Sequence, residues 1–240
     1  MNLVAEMSWE EVKSYLDHDN RVILPLGATE AHGRHLGLGT DHIEAEAIAR
    51  GAGEQSDVAV APTLNFGMSH ALLGFPGTLS LRPTTLIAVL EDLFRSLYRH
   101  GFRRVLVVNG HGGNAAALSS ALHSIAVDLP ELRAKMFEWW TDQESYRVVT
   151  DMLGPQVGSH ASPGETAFML AVRPNAVKLD RLSGRDAPVQ PTRQVVTMNT
   201  FAEKYPDGIM GLDPHMATRE AGEALLHKSI EICVRELENW

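Results

Sequence analysis

Val22–Asp41 reads VILPLGATEAHGRHLGLGTD. It begins with a short apolar run (Val22, Ile23, Leu24), passes Pro25 and Gly27, and then places Glu30, His32, His35 and Asp41 within twelve positions. The apolar run has the make-up of a strand, and polar groups that crowd just past a strand's end mark the place where open parallel sheets bind ligands. In an extended segment alternate side chains point the same way, so Glu30 and His32 face one common point. Asp41 follows at an expected helix start, after glycines that let the backbone fold back. A carboxylate and an imidazole converging on one point suit a divalent metal better than a core. The plainer alternative, a polar surface loop after a strand, accounts for each residue singly but not for the set.

Outward from this stretch the chain alternates strands and helices. Ser8-Trp9-Glu10-Glu11 has capping-box spacing and starts a short helix to about Asp19. Arg21–Leu26 is the first strand, and Asp41–Gln55 is a helix rich in Ala, Glu and Ile. Val58–Ala61 is a short strand stopped by Pro62. Leu64–Leu81 reads as loop. Pro83 opens a helix with Leu86, Leu90, Leu93, Phe94 and Leu97 on one face, closing near Gly101. Arg103–Val108 is a continuous apolar strand of the kind buried on both faces. Ala115–Leu129 is a helix, Ala134–Trp139 a strand and Ala217–Leu237 a closing helix. Ser183–Asp213, with three prolines, is the least regular region and the candidate for a subunit contact. The expected architecture is α/β, a three-layer α/β/α arrangement with a mostly parallel central sheet in one domain spanning 1–240.

Bulk properties narrow the function. The chain has 240 residues, 44% hydrophobic, with 21 basic against 30 acidic side chains and a net charge of −9. That balance, without a basic run, argues against nucleic acid as a partner. No stretch of about 18 apolar residues exists, so no membrane span is expected, and the N-terminus has no apolar core of signal-peptide length. Cys233 is the only cysteine. It excludes an intrachain disulfide and fits a cytoplasmic, reducing location, with the thiol buried in the closing helix.

Two further groups carry chemistry. Asn109-Gly110-His111-Gly112-Gly113-Asn114 directly follows the Arg103–Val108 strand. Its glycines allow close backbone approach to a ligand, but it is neither a P-loop nor a dinucleotide fingerprint, and a central histidine favours metal or catalysis over phosphate. His160-Ala161-Ser162-Pro163-Gly164-Glu165 places Glu165 in a first helical turn, where the helix dipole also favours a carboxylate. His160 is read as a metal ligand, an acid/base or an orienting group. His35 and His42 are weaker candidates. Ser69, in Gly67-Met68-Ser69-His70-Ala71, misses the last glycine of a nucleophile elbow.

LPLGATEAHGRHLGLGTD, FPGTLSL, VVNGHGGN and HASPGET occur here in that order. Together they resemble the creatininase (creatinine amidohydrolase) family over roughly Val22 to Glu165, with a weaker echo in GIMGLDPHMAT. The resemblance implies a three-layer α/β/α fold, two divalent ions per chain (Zn and/or Mn), hydrolysis of C–N bonds in amides that are usually not ordinary peptides, and assembly into homo-oligomers, often hexamers. It makes Glu30, His32, Asp41 and His111 metal ligands, with Asp41 as the bridge. Creatininase has a ligating glutamate two positions after the histidine of the glycine turn; Gly113 stands there, and Glu165 becomes the fifth ligand. His160 corresponds to the proton-moving histidine, and either His160 or Glu165 would shuttle the proton to the leaving nitrogen. Asn109, Asn114 and Trp139 are expected at the substrate or oxyanion, with Trp140 a further counterpart of the family's tryptophans. Leu72 stands where many members carry a histidine. These departures point away from creatinine and toward another small amide, a cyclic amide or formamide, attacked by a hydroxide held between the ions. A short modified peptide, creatinine itself and a catalytically silent metal-stabilised oligomer are the alternatives.

Overall fold

The computed structural model describes residues 1–154, 159–182 and 197–240. A four-stranded parallel sheet has the order β2-β1-β3-β4, formed by β1 (Arg21–Leu26), β2 (Ala59–Val60), β3 (Arg104–Asn109) and β4 (Arg133–Phe137). β1 and β3 pair in register from Arg21↔Arg104 to Leu26↔Asn109, so their carboxyl ends finish side by side.

Strand periodicity sorts the core into two layers. Val22, Leu24, Leu26, Val105 and Val107 pack on one face against Tyr15 of α1 (Trp9–Leu16), Leu86, Leu90 and Phe94 of α3 (Pro83–His100), and Leu118 and Ile125 of α4 (Ala115–Asp128). Ile23, Leu106, Val108 and Phe137 pack on the other face. Their partners are Ala45 and Ile48 of α2 (Thr40–Ser56), Val149 of α5 (Gln143–Leu153), Phe168 of α6 (Pro163–Val172), and Leu225 and Cys233 of α8 (Arg219–Glu238). Buried on both faces, β1 and β3 read as unbroken apolar runs. The α/β/α layering expected from the sequence is therefore present.

Local signals hold with small shifts. Ser8 accepts from the Glu11 N–H while Glu11 reaches back to the Ser8 N–H, which completes the capping box of α1. β2 is two residues long rather than four, because pairing to β1 ends at Ile23↔Val60. β4 stops at Phe137, which leaves Trp139 beyond the sheet. Two helices were not expected. One is α5, capped by Asp142 on the N–H groups of Glu144 and Ser145. The other is α7 (Met198–Lys204), capped by Thr197 inside the segment read as irregular; residues 183–196 of that segment lie outside the described residues. Cys233 is buried, and burial pushes its thiol up out of the reactive range. Among the described residues, no helix is long and apolar enough to cross a membrane.

Candidate metal centre and active site

Four segments meet over the carboxyl ends of β1 and β3. The loop after β1 brings Glu30 and His32, the first turn of α2 brings Asp41, the turn after β3 brings His111, and the start of α6 brings Glu165, with His160 just before it. Glu30, His32 and Asp41 are at most 2% exposed.

The ligand atoms converge in overlapping triplets. Glu30, Asp41 and His111 form one, His32, Asp41 and Glu165 a second, and Glu30, His32 and His160 a third, each with donor atoms within 4.8 Å of one another. His32 Nε2 lies 2.9 Å from Asp41 Oδ1 and 3.7 Å from Glu165 Oε1. His111 Nδ1 lies 3.3 Å from Asp41 Oδ2, and its Nε2 3.3 Å from Glu30 Oε2. Asp41 thus turns one oxygen toward each ligand histidine. His160 Nδ1 stands 3.5 Å from Glu30 Oε1.

Three features fit divalent metal. Both oxygens of Glu30, Nε2 of His32 and Oδ2 of Asp41 are buried without a hydrogen bond, a costly state that coordination would relieve. The spacings match donors sharing an ion, since Zn–N and Zn–O bonds of about 2.1 Å put tetrahedral ligands roughly 3.4 Å apart. Each imidazole also meets a main-chain carbonyl: His32 Nδ1 that of Glu30 at 3.1 Å and His160 Nε2 that of Ala31 at 2.8 Å, both on the side away from the cluster, and His111 Nε2 that of Met68 at 3.1 Å. Such bracing orients histidine ligands and fixes their tautomer.

The charge balance agrees. Burial disfavours imidazolium at His32, but Asp41 and Glu165 outweigh it and hold the group well above its ordinary value. At His111 burial is likewise overcome by Glu30 and Asp41, and its value rises to about 9. Burial alone would raise Asp41 and Glu165, yet His32 holds both down, with His111 adding to the effect at Asp41. Burial and then His32 lower His160. Without metal, the carboxylates draw protons onto the histidines; a divalent cation competes for the same charge.

Glu165 is anchored through Oε2, which accepts from the Ala161 N–H, and its Oε1 faces His32. Ala161 reaches this contact with a left-handed φ of 51° while fully buried, a strained backbone of the kind found at functional sites. At Gly113 a Cβ would run into the His111 ring and the Met68 carbonyl, so the turn after β3 has no room for a carboxylate side chain at that position.

Asn109 and Asn114 are buried and brace the turn. Asn109 Nδ2 donates to the His111 carbonyl at 2.9 Å and to Glu138 Oε1 at 2.6 Å. Asn114 Nδ2 donates to the Gly27 carbonyl at 3.0 Å, and its Oδ1 accepts from the Met68 N–H at 3.0 Å. Neither is among the residues lining the cavity, whereas Trp139 is. His35 bonds Thr166 Oγ1 through Nε2 at 2.9 Å, and Ser69 is buried outside the cavity lining.

A cavity of about 880 Å³ opens over the cluster. Glu30, Asp41, His111, His160 and Glu165 reach it, and its apolar walls include Leu72, Trp139, Trp140, Tyr146, Phe201 and Met210. The sequence reading did not single out Tyr146, Phe201 or Met210, which stand on or beside helices α5 and α7. Nor did it single out Glu44, although an acid three residues after Asp41 on an Ala- and Ile-lined helix face was a visible cue.

A parallel α/β sheet with buried carboxylates and imidazoles under an open apolar cavity defines an α/β protein built as metal-dependent hydrolases are. The chain belongs to the creatininase family: the family described as Creatinine amidohydrolase matches residues 5–237. It is 29% identical to the creatinine amidohydrolase of Pseudomonas putida, over 97% of this chain and 93% of that one. It is 32% identical to the mycofactocin precursor peptide peptidase of Mycolicibacterium smegmatis, over 91% and 85%. Solved creatininase structures, a mutant in a Zn-Zn form and a Mn form, superpose with TM-scores of 0.88 at 26% identity, over 99% of this chain and 97% of each of theirs. The chain is accordingly a hydrolase acting on C–N bonds.

Proposed function

We propose that this protein is a metal-dependent amidohydrolase that cleaves the C–N bond of a small neutral amide, such as a cyclic amide or formamide. The observation that carries the reading is the buried, unbonded set of donor atoms on Glu30, His32 and Asp41, of which Glu30 and Asp41 line the cavity.

Glu30, Asp41 and His111 would hold one divalent ion, and His32, Asp41 and Glu165 a second, with Asp41 shared. Mixed nitrogen and oxygen donors suit Zn and Mn alike. When bound, such a pair supplies Lewis acidity toward an amide carbonyl and brings a water's pKa near neutrality. The remaining work falls to the protein. His160 keeps its proton on Nε2, which donates to the Ala31 carbonyl, and so presents a bare Nδ1 to the centre. Nδ1 takes the proton released as water adds to the amide carbon and returns it to the departing nitrogen, as a general base and then acid. Glu165 is a ligand rather than a shuttle, because one oxygen is fixed on the backbone and the other faces His32.

The walls restrict the substrate. No Lys or Arg is among the described residues lining the cavity, which favours a neutral substrate. The apolar lining suits flat or hydrophobic groups and keeps water off the reacting carbonyl. The cavity also far exceeds what one small ring fills, which favours a second reading: cleavage near the end of a short peptide. We further place the protein in the cytoplasm, as one domain per chain in a homo-oligomer, with a hexamer as the working assembly.

The test is turnover of a panel of lactams, formamides, ureides and short peptides by Zn- or Mn-loaded protein. Turnover that disappears on chelation and returns on reloading supports the proposal. Full metal loading without turnover of any member would leave a metal-stabilised scaffold instead.

A further inference from the structure

The buried face of α2 carries Asp41, Glu44, Ala45 and Ile48. Asp41 belongs to the metal centre; Glu44, one turn on and 1% exposed, does not line the cavity. Its Oε2 accepts from the indole N–H of Trp139 at 3.1 Å, and its Oε1 has no hydrogen bond. A main-chain carbonyl or an amide would satisfy an indole N–H at far lower desolvation cost than a carboxylate. Burial, and then Glu165 and Asp41, also hold the Glu44 carboxyl well above the usual carboxylate range. An acid here works against stability, and what it touches is a wall of the cavity.

Trp139 is wedged from two further sides. It meets Trp140 edge-on at 5.7 Å between ring centroids and 86° between planes. On the other side, a Cβ at position 164 would come within 2.9 Å of its Cη2, so the ring rests on the first turn of α6 where the next residue is Glu165. Glu44 therefore ties the helix that carries Asp41 to the wall that abuts the helix that carries Glu165.

We infer that Glu44 is a positioning residue that holds Trp139 in place as the cavity wall beside the metal centre and thereby sets how tightly substrate seats. The inference rests on the cavity being the active site.

The test compares Glu44→Gln, Glu44→Leu, Trp139→Phe and the double variant Glu44→Leu/Trp139→Phe, all metal-loaded, on the best amide of the panel. Lost seating without lost chemistry raises KM and spares kcat. Glu44→Leu and Trp139→Phe should each raise KM about tenfold with kcat within about threefold and metal content unchanged. The double variant should be no worse than either single, and Glu44→Gln, which keeps an acceptor, should stay near wild type. Additive KM effects, or metal loss in Glu44→Leu, would overturn the inference. A readout that needs no substrate separates it from the functional reading. Acrylamide quenching of Trp139 emission, isolated by subtracting the matching Trp139→Phe protein, should rise about twofold in Glu44→Leu as the ring loosens, and not in Glu44→Gln. Unchanged quenching in Glu44→Leu overturns the inference even if every amide fails. Glu44→Met carries the same comparison if Glu44→Leu does not fold.

Discussion

The two ends of β1 and β3 carry opposite kinds of charge cluster. At the amino ends, Asp19 accepts from the Arg21 main-chain N–H at 2.9 Å and from its guanidinium at 2.6–3.0 Å, while Arg104 reaches Asn20 Oδ1 at 2.6 Å. That cluster closes on itself: Asp19 is hydrogen-bonded by Arg21 and lies 3.6 Å from Arg104. At the carboxyl ends, Glu30, Asp41 and Glu165 stand against imidazoles with buried oxygens and a ring nitrogen unbonded. A stabilising cluster fills its hydrogen bonds from within. A cluster that leaves lone pairs aimed at one point is built for something it does not itself supply.

The comparison breaks most sharply at Asp41. Asp41→Ala removes the one carboxylate that faces both ligand histidines, and it is expected to abolish metal retention and turnover together; elemental analysis and rate on the same sample check this. His160→Ala should keep the metal and lose about 10²–10⁴-fold in rate, the usual contribution of a general acid–base group. Full activity in that variant would remove His160 from the proton path.

Chelation sharpens the contrast from the other side. Removing cations leaves only protonated histidines against the buried carboxylates and forfeits the stabilisation a tightly bound ion gives the folded chain, about 3 kcal/mol, or roughly 6–12 °C in Tm for a chain of this size. Calorimetry should show that loss, with recovery on adding Zn or Mn. The amino-end cluster should ignore metal and respond to acid. Burial opposes ionisation of Asp19, but hydrogen bonds and charge from Arg21 outweigh it and hold its carboxyl below the usual value. A depressed carboxylate stabilises the fold above its unfolded value, so this contribution is intact above pH of about 4 and fades as pH falls further. Asp19→Asn should cost about 1 kcal/mol at pH 7 and flatten stability below pH 4, measured by urea unfolding, with no change in metal content.

Much of this was legible in the sequence where one physical rule dominates. The apolar runs of β1 and β3, the Ser8 capping box and the Pro83 helix start are local signals. Glu30, His32, Asp41, His111 and Glu165 stood out because carboxylates and imidazoles after strand ends have few other uses. The rest depended on tertiary partners. Asn109 and Asn114 have the chemistry to face an oxyanion, and only the fold reveals that their amides brace the backbone around His111. Helix α5 was capped by Asp142 but short and strongly polar on its outer face. Glu44 is visible as an acid on the apolar face of α2, but its partner Trp139, 95 positions away, is found only in the fold.

We read the carboxyl-end cluster as a two-metal centre. Protein produced with Zn and Mn available, and dialysed against metal-free buffer, should retain close to two divalent ions per folded chain by elemental analysis. A folded chain that retains none under those conditions would contradict the account.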